Sequence, residues 1–148
     1  MSDCGFCKIV RNEKNSYCVY EDKIVKAFLD TNPWTRGHTL IIPKDHYADI
    51  FDIPEEELKW MIVITKRLAT FYRKVFRGCD INIIQSNGKN AQQDIFHFHI
   101  HLVPRYKSDK QKIYLRINKN LKNDILSTFK KIKSEINKTK NPHQILIL

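Results

Sequence analysis

Nowhere does the 148-residue chain run together the roughly eighteen apolar residues that a membrane-spanning helix needs, so no helical membrane span is expected. The opening stretch, MSDCGFC, is acidic where an export signal would be basic, and no apolar segment follows it. The predicted location is the cytoplasm, with the nucleus as the alternative. In that setting the four cysteines, at 4, 7, 18 and 79, are expected as reduced thiols and not as a disulfide framework. Glycine (four) and proline (five) are too scarce for a collagen-like chain, and 42% apolar content argues against disorder. Acidic residues are also short, 16 against 26 Lys and Arg, and the imbalance is local. From Arg105 onward ten Lys and two Arg face only Asp109, Asp124 and Glu135, so +9 of the net +10 lies there. Such a basic third can meet nucleic acid, acidic lipid or polyphosphate. Biased Lys/Asn composition produces the same pattern, and nucleic acid is not the favoured partner.

What is present fits one compact α+β unit without repeats or linkers. Strands are predicted at SYCVYED, IVKAFLD, GHTLIIPK and INIIQS, with a fifth at FHFHIHLVPR. From Pro54 to Arg77 a helical stripe runs through Leu58, Met61, Ile62, Thr65, Leu68, Ala69, Tyr72, Val75 and Phe76. Pro54 and Glu55 to Glu57 suit its start and Gly78 its stop. A second amphipathic helix is expected from about Asn120 to Lys138, with Leu121, Ile125, Phe129, Ile132 and Ile136 on one face. Residues 107–148 are therefore read as a basic extension, packed on the 1–106 core through that face. The terminal NPHQILIL is expected to pack on something, because four exposed apolar residues would invite association.

Three of the six histidines, His97, His99 and His101, alternate with Phe98, Ile100 and Leu102. In a strand, alternate side chains share a face about 6–7 Å apart, so the histidines converge while the apolar residues enter a core. Two chemistries suit such a row. Histidines two apart can ligate zinc, and a neutral imidazole is a nucleophile toward phosphorus. No phosphate-cradling P-loop sequence competes with them.

The stretch HFHIHLV resembles the motif of the histidine triad (HIT) superfamily. CGFCKIV, VYEDKIVKAFLD, NPWTRGHTLIIPKDH and NGKNAQQDIFHFHIHLVPRY extend the likeness in the family's order over residues 4–106, nearest the Hint-like, bacterial-type branch. The resemblance implies a five-stranded antiparallel sheet with a long helix and a C-terminal helix. It also implies a homodimer whose sheets join, and a nucleotide hydrolase acting at the α-phosphate of purine nucleoside phosphoramidates. His99 is the implied nucleophile, His101 the residue facing the phosphate and leaving group, and His97 a supporting one. Asp30 would accept from the ribose hydroxyls. Phe6, Ile9, Phe28 and Leu29 would line the base pocket, and Asn87, Gly88 and Gln93 the phosphate loop.

Gln92 stands where the family commonly has Gly, and Ser86 where an amide is frequent. Cys4, Cys7, His46 and His97 match a structural zinc set, zinc being the only expected cofactor and not required for the chemical step; two small buried thiols are the alternative. His38 is read as structural and His143 as a surface residue. Two other functions stay open: a dinucleoside polyphosphate hydrolase of the Fhit type, and a nucleotide or nucleic-acid binding module with weak catalysis. A uridylyltransferase is disfavoured, because His101 stands where that branch has Gln.

Overall fold

The computed structural model describes residues 4–113 and 116–138. The first hairpin is set by one carboxylate. Asp22 Oδ1 accepts the backbone N–H groups of Ile24 (2.8 Å) and Val25 (2.7 Å), while Oδ2 takes the Tyr20 hydroxyl at 2.6 Å and the Trp60 indole N–H at 2.8 Å. The turn joins β1 (Cys18–Glu21) to β2 (Val25–Leu29), and β3 (Thr39–Pro43), β4 (Asp80–Ile84) and β5 (Ile100–Arg105) complete the sheet. All neighbours are antiparallel in the order β1-β2-β3-β5-β4. The α+β architecture expected from the sequence is the one observed.

Period-2 alternation sorts side chains to two faces. Val25, Ala27, Ile41, Ile100 and Leu102 pack on Met61, Ile64, Leu68 and Tyr72 of the long helix α2 (Glu55–Val75). The opposite face sends Phe28, Leu40 and Ile42 to Phe6 and Ile9 of the short helix α1 (Gly5–Val10). Lys26 on that face is 2% exposed. Its ammonium donates to Ile9 O (3.2 Å) and Asn12 Oδ1 (3.1 Å) and lies 3.3 Å from Glu21, so a buried cation holds the C-terminal end of α1.

Helix α2 begins after Pro54 and stops where Gly78, at φ +82°, turns its N–H back to Arg73 O at 2.7 Å. Part of the expected stripe is corrected: Ile62 and Val75 are exposed and Ile64 is buried, because only a narrow arc of the helix meets the sheet. Strand β5 is also shorter than predicted. His97 and His99 lie before its first paired residue, since the Phe98 N–H bonds Tyr47 O (2.6 Å) and not β3.

Gly37 turns the chain into β3 at φ +84°, where an added Cβ would lie 2.7 Å from the Phe76 ring and 3.2 Å from Pro104 Cγ. Gly37→Ala is expected to cost about 1–3 kcal/mol in urea unfolding, from strain and overpacking together.

The contacts divide the chain into Met1–Gln111 and Lys112–Leu148. In the second unit, Asn118 Oδ1 accepts the Asn120 N–H at 3.1 Å and opens a 3-10 stretch, Lys119–Asp124; the α-helical part, α3, is Ile125–Lys138. The helix thus starts later than Asn120, a side-chain turn having tightened its first residues. Leu121, Ile125, Phe129 and Ile132 are exposed. The NPHQILIL segment, with His143, lies outside the described residues. Among the described residues no helix is long and apolar enough to cross a membrane.

Candidate functional site

The histidine row is covered instead of facing solvent. Phe6, carried by α1, sets its ring edge-on to His97 (5.7 Å between centroids) and His99 (5.4 Å), and both imidazoles are buried. Burial disfavours the charged form, so the His99 pKa is lowered, with the hydrogen bond to His97 and the carboxylates Asp30 and Asp94 opposing in part. His97 and His101 are pushed down to about 4, chiefly by burial. All three rings are neutral near pH 7, and each tautomer follows from its partners.

His99 Nδ1 lies 2.7 Å from His97 O. A carbonyl only accepts, so His99 carries its proton on Nδ1 and leaves the Nε2 lone pair free. His38 Nδ1 receives the Trp34 backbone N–H at 3.2 Å, which puts the His38 proton on Nε2. That Nε2–H donates to His101 Nδ1 at 2.9 Å, so His101 keeps its proton on Nε2. A lone pair on His99 therefore stands beside an N–H donor on His101, with ring centroids 4.9 Å apart. Asp30 Oδ2 is 3.6 Å from His38 Nδ1, too far for a hydrogen bond, and Oδ1 accepts the Asn32 N–H at 2.8 Å. Sequence reading gives His38 only a structural part. Its partner is 63 positions away, and the signal that could have found it is a buried-type Gly-His entering a strand of the same sheet.

His97 faces the other way. Its Nε2 is 3.0 Å from Pro43 O and must be the protonated nitrogen, which turns the Nδ1 lone pair toward Cys4 and Cys7 Sγ (3.6 Å each) and His46 Nδ1 (3.2 Å). Cys7 Sγ is 3.3 Å from His46 Nδ1. Tetrahedral zinc with bonds of about 2.3 Å to sulfur and 2.0–2.1 Å to nitrogen requires S···N edges of about 3.6 Å and N···N edges of about 3.3 Å. The four residues expected from sequence thus form a cluster able to hold a metal ion, and their spacings fit zinc.

The residues expected to bind nucleotide lie in two places. Phe6, Ile9 and Phe28 form one buried cluster, with Leu29 partly buried beside Asp30 at the end of β2. In the loop, polar groups are engaged with one another. Gln93 Oε1 accepts the Gly88 N–H at 2.8 Å and its amide donates to Ala48 O and Ile95 O; Asn87 Oδ1 accepts from Ile50 N and Gln85 Nε2. Gln93 and Asn87 shape the loop.

Gln92 sits at φ +66°, ψ +33°, the left-handed region, which accounts for Gly in the family pattern. Gln92→Gly is expected to raise stability by about 0.5–1 kcal/mol, read as a higher urea midpoint. Ser86, the other departure, has no explanation in the structure.

The HIT domain model matches residues 11–108. Over 102 residues the chain is 45% identical to the adenosine 5′-monophosphoramidase of Saccharomyces cerevisiae, covering 69% of this chain and 62% of that protein. It superposes on a HIT family protein of Bacillus anthracis with a TM-score of 0.83 at 33% identity, over 95% of this chain and 99% of that one. A zinc-bound histidine triad protein of Mycobacterium smegmatis gives a TM-score of 0.71 at 35% identity, over 90% and 97% of the two chains.

Proposed function

Because the chain belongs to the HIT domain family, we propose that it hydrolyses purine nucleoside phosphoramidates, or related nucleotidyl conjugates, at the α-phosphate through a nucleotidyl-His99 intermediate. The observation that carries this reading is the paired tautomers: a free Nε2 lone pair on His99 next to an Nε2–H on His101. His99 Nε2 attacks phosphorus, a P–N bond to His99 forms, and the bond to the leaving amine breaks. One proton passes from solvent by way of His101 to the departing nitrogen. Water then cleaves the His99–phosphorus bond, releasing the nucleoside monophosphate and returning a proton. His101 Nε2–H also stabilises the charge growing on the phosphoryl oxygens. Asp30 has acceptor capacity left for ribose hydroxyls.

The second reading, cleavage of dinucleoside polyphosphates, needs a strongly anionic leaving group. The charged groups that act on His99 include two carboxylates, Asp30 and Asp94, which favours an amine instead. Turnover of adenosine 5′-phosphoramidate against diadenosine polyphosphates separates the two. Greater kcat/KM for the polyphosphates would overturn the first reading, and nucleotide binding without turnover of either would leave a binding module.

Cys4, Cys7, His46 and His97 would hold a zinc ion that ties α1 to the loop after β3. A homodimer is supported by β4, an edge strand of the sheet among the described residues, whose exposed Ile83 lines one cavity with exposed Ile62 of α2. Sedimentation equilibrium at micromolar concentration is expected to read twice the chain mass of 17.6 kDa.

A further inference from the structure

Trp34 is half exposed at 47%, yet its ring is fixed in place. Its indole stacks on His38 (4.6 Å between centroids, 26° between planes) and on His101 (4.7 Å, 15°). Those two imidazoles are only 5.1 Å apart. On opposite faces of the indole they would be separated by nearly the sum of the two stacking distances, so both lie on the same face. Among the described residues no ring stacks on the other face, and 47% of the residue is exposed. That face belongs to a large, rigid aromatic surface next to His101, the residue assigned above to the leaving-group side.

We propose that Trp34 is a specificity-determining residue whose unstacked indole face takes the leaving group, and that the leaving group it selects is an aromatic amine; this rests on the phosphoramidase reading. A planar ring gains by offset stacking on an indole, about 1–3 kcal/mol where a base stacks on an aromatic side chain. An ammonia leaving group has no ring to stack, and the leaving group of a dinucleoside polyphosphate holds its adenine away from the scissile bond by at least two phosphates and a ribose. The platform is pre-organised, because the two imidazoles on its inner face and the backbone N–H to His38 hold the residue before substrate arrives.

The test compares adenosine 5′-phosphoramidate with its N-benzyl derivative. The full chain is expected to prefer the benzylamine conjugate, and Trp34→Ala to reduce the ratio of the two kcat/KM values about tenfold, equivalent to about 1.4 kcal/mol. Trp34→Phe should keep most of that ratio. A uniform fall for both substrates would overturn the proposal, since it would mean that Trp34 only packs on His38 and His101. A binding arm does not depend on turnover. Binding of the benzyl conjugate should quench indole emission in the full chain but not in Trp34→Leu, and should be tighter than binding of AMP by about tenfold. That result without turnover of either compound would uphold the aromatic subsite while ending the phosphoramidase reading; equal affinity of the full chain for the two ligands would overturn the subsite.

Discussion

His99→Asn is expected to lower kcat by about 10³-fold or more while AMP affinity stays within a few-fold. Asn is the informative replacement because its side-chain amide falls where imidazole Nδ1 lies and can still donate to His97 O, now 2.7 Å from the ring nitrogen. The hydrogen bond and most of the volume remain under Phe6. Only the Nε2 lone pair is removed. Acid-quenched wild-type chain incubated with substrate should carry a nucleotidyl adduct on the peptide containing position 99, and the variant none. Turnover retained in the variant would sink covalent catalysis by His99. A loss of AMP binding equal to the loss of rate would point instead to collapse of the pocket, which a thermal melt of the variant reports independently.

How far such a site is legible in sequence depends on how local its determinants are. The strands were readable because each is a short run bounded by turn-forming or charged residues, and α2 because its stripe, its acidic first turn and the Gly78 stop all lie within one continuous stretch. The spacing of His97, His99 and His101 announced a site in the same way. Their surroundings were not readable. GFCKIV is a single short helix, too brief for a periodic signal, yet Phe6 from that helix is what covers His97 and His99. The tautomers depend on a carbonyl, a backbone N–H and a second histidine drawn from separate loops and strands.

Two sets of partners were out of reach of the sequence for related reasons. His38 was assigned to structure because a lone histidine entering a strand carries no partner in its own stretch; pairing of β3 with β5 supplies His101. Asn87 and Gln93 were expected to face phosphate, since polar residues in a loop suggest ligand contacts. Burial of Gln93 instead commits its amide to Gly88, Ala48 and Ile95, which satisfies groups that would otherwise be stranded away from water. The departure at Gln92 was visible as a residue type. Its meaning needed the backbone angles.

Metal removal is the remaining large effect. Purified chain is expected to contain about one zinc per polypeptide, and Cys4→Ser with Cys7→Ser, or a strong chelator, to lower stability by about 3–5 kcal/mol. For a domain of this size that is a fall in melting temperature of roughly 10–20 °C. The magnitude follows from what the four ligands join: Cys4 and Cys7 at the start of α1, His46 after β3, and His97 before β5. Without the ion, two thiols and two imidazole nitrogens would face one another with few good donors among them. The segment would then be held mainly by Phe6, Ile9 and the Lys26 bonds to Ile9 and Asn12. Chemistry should suffer less than stability. The His99 proton is fixed by the backbone carbonyl of His97 and not by its ring, so well below the lowered melting point kcat should change only a few-fold. Metal-free protein with an unaltered melting temperature would overturn the zinc assignment and leave Cys4 and Cys7 as packing residues. A chelated chain that melts normally but loses its rate would place the metal in the chemical step instead.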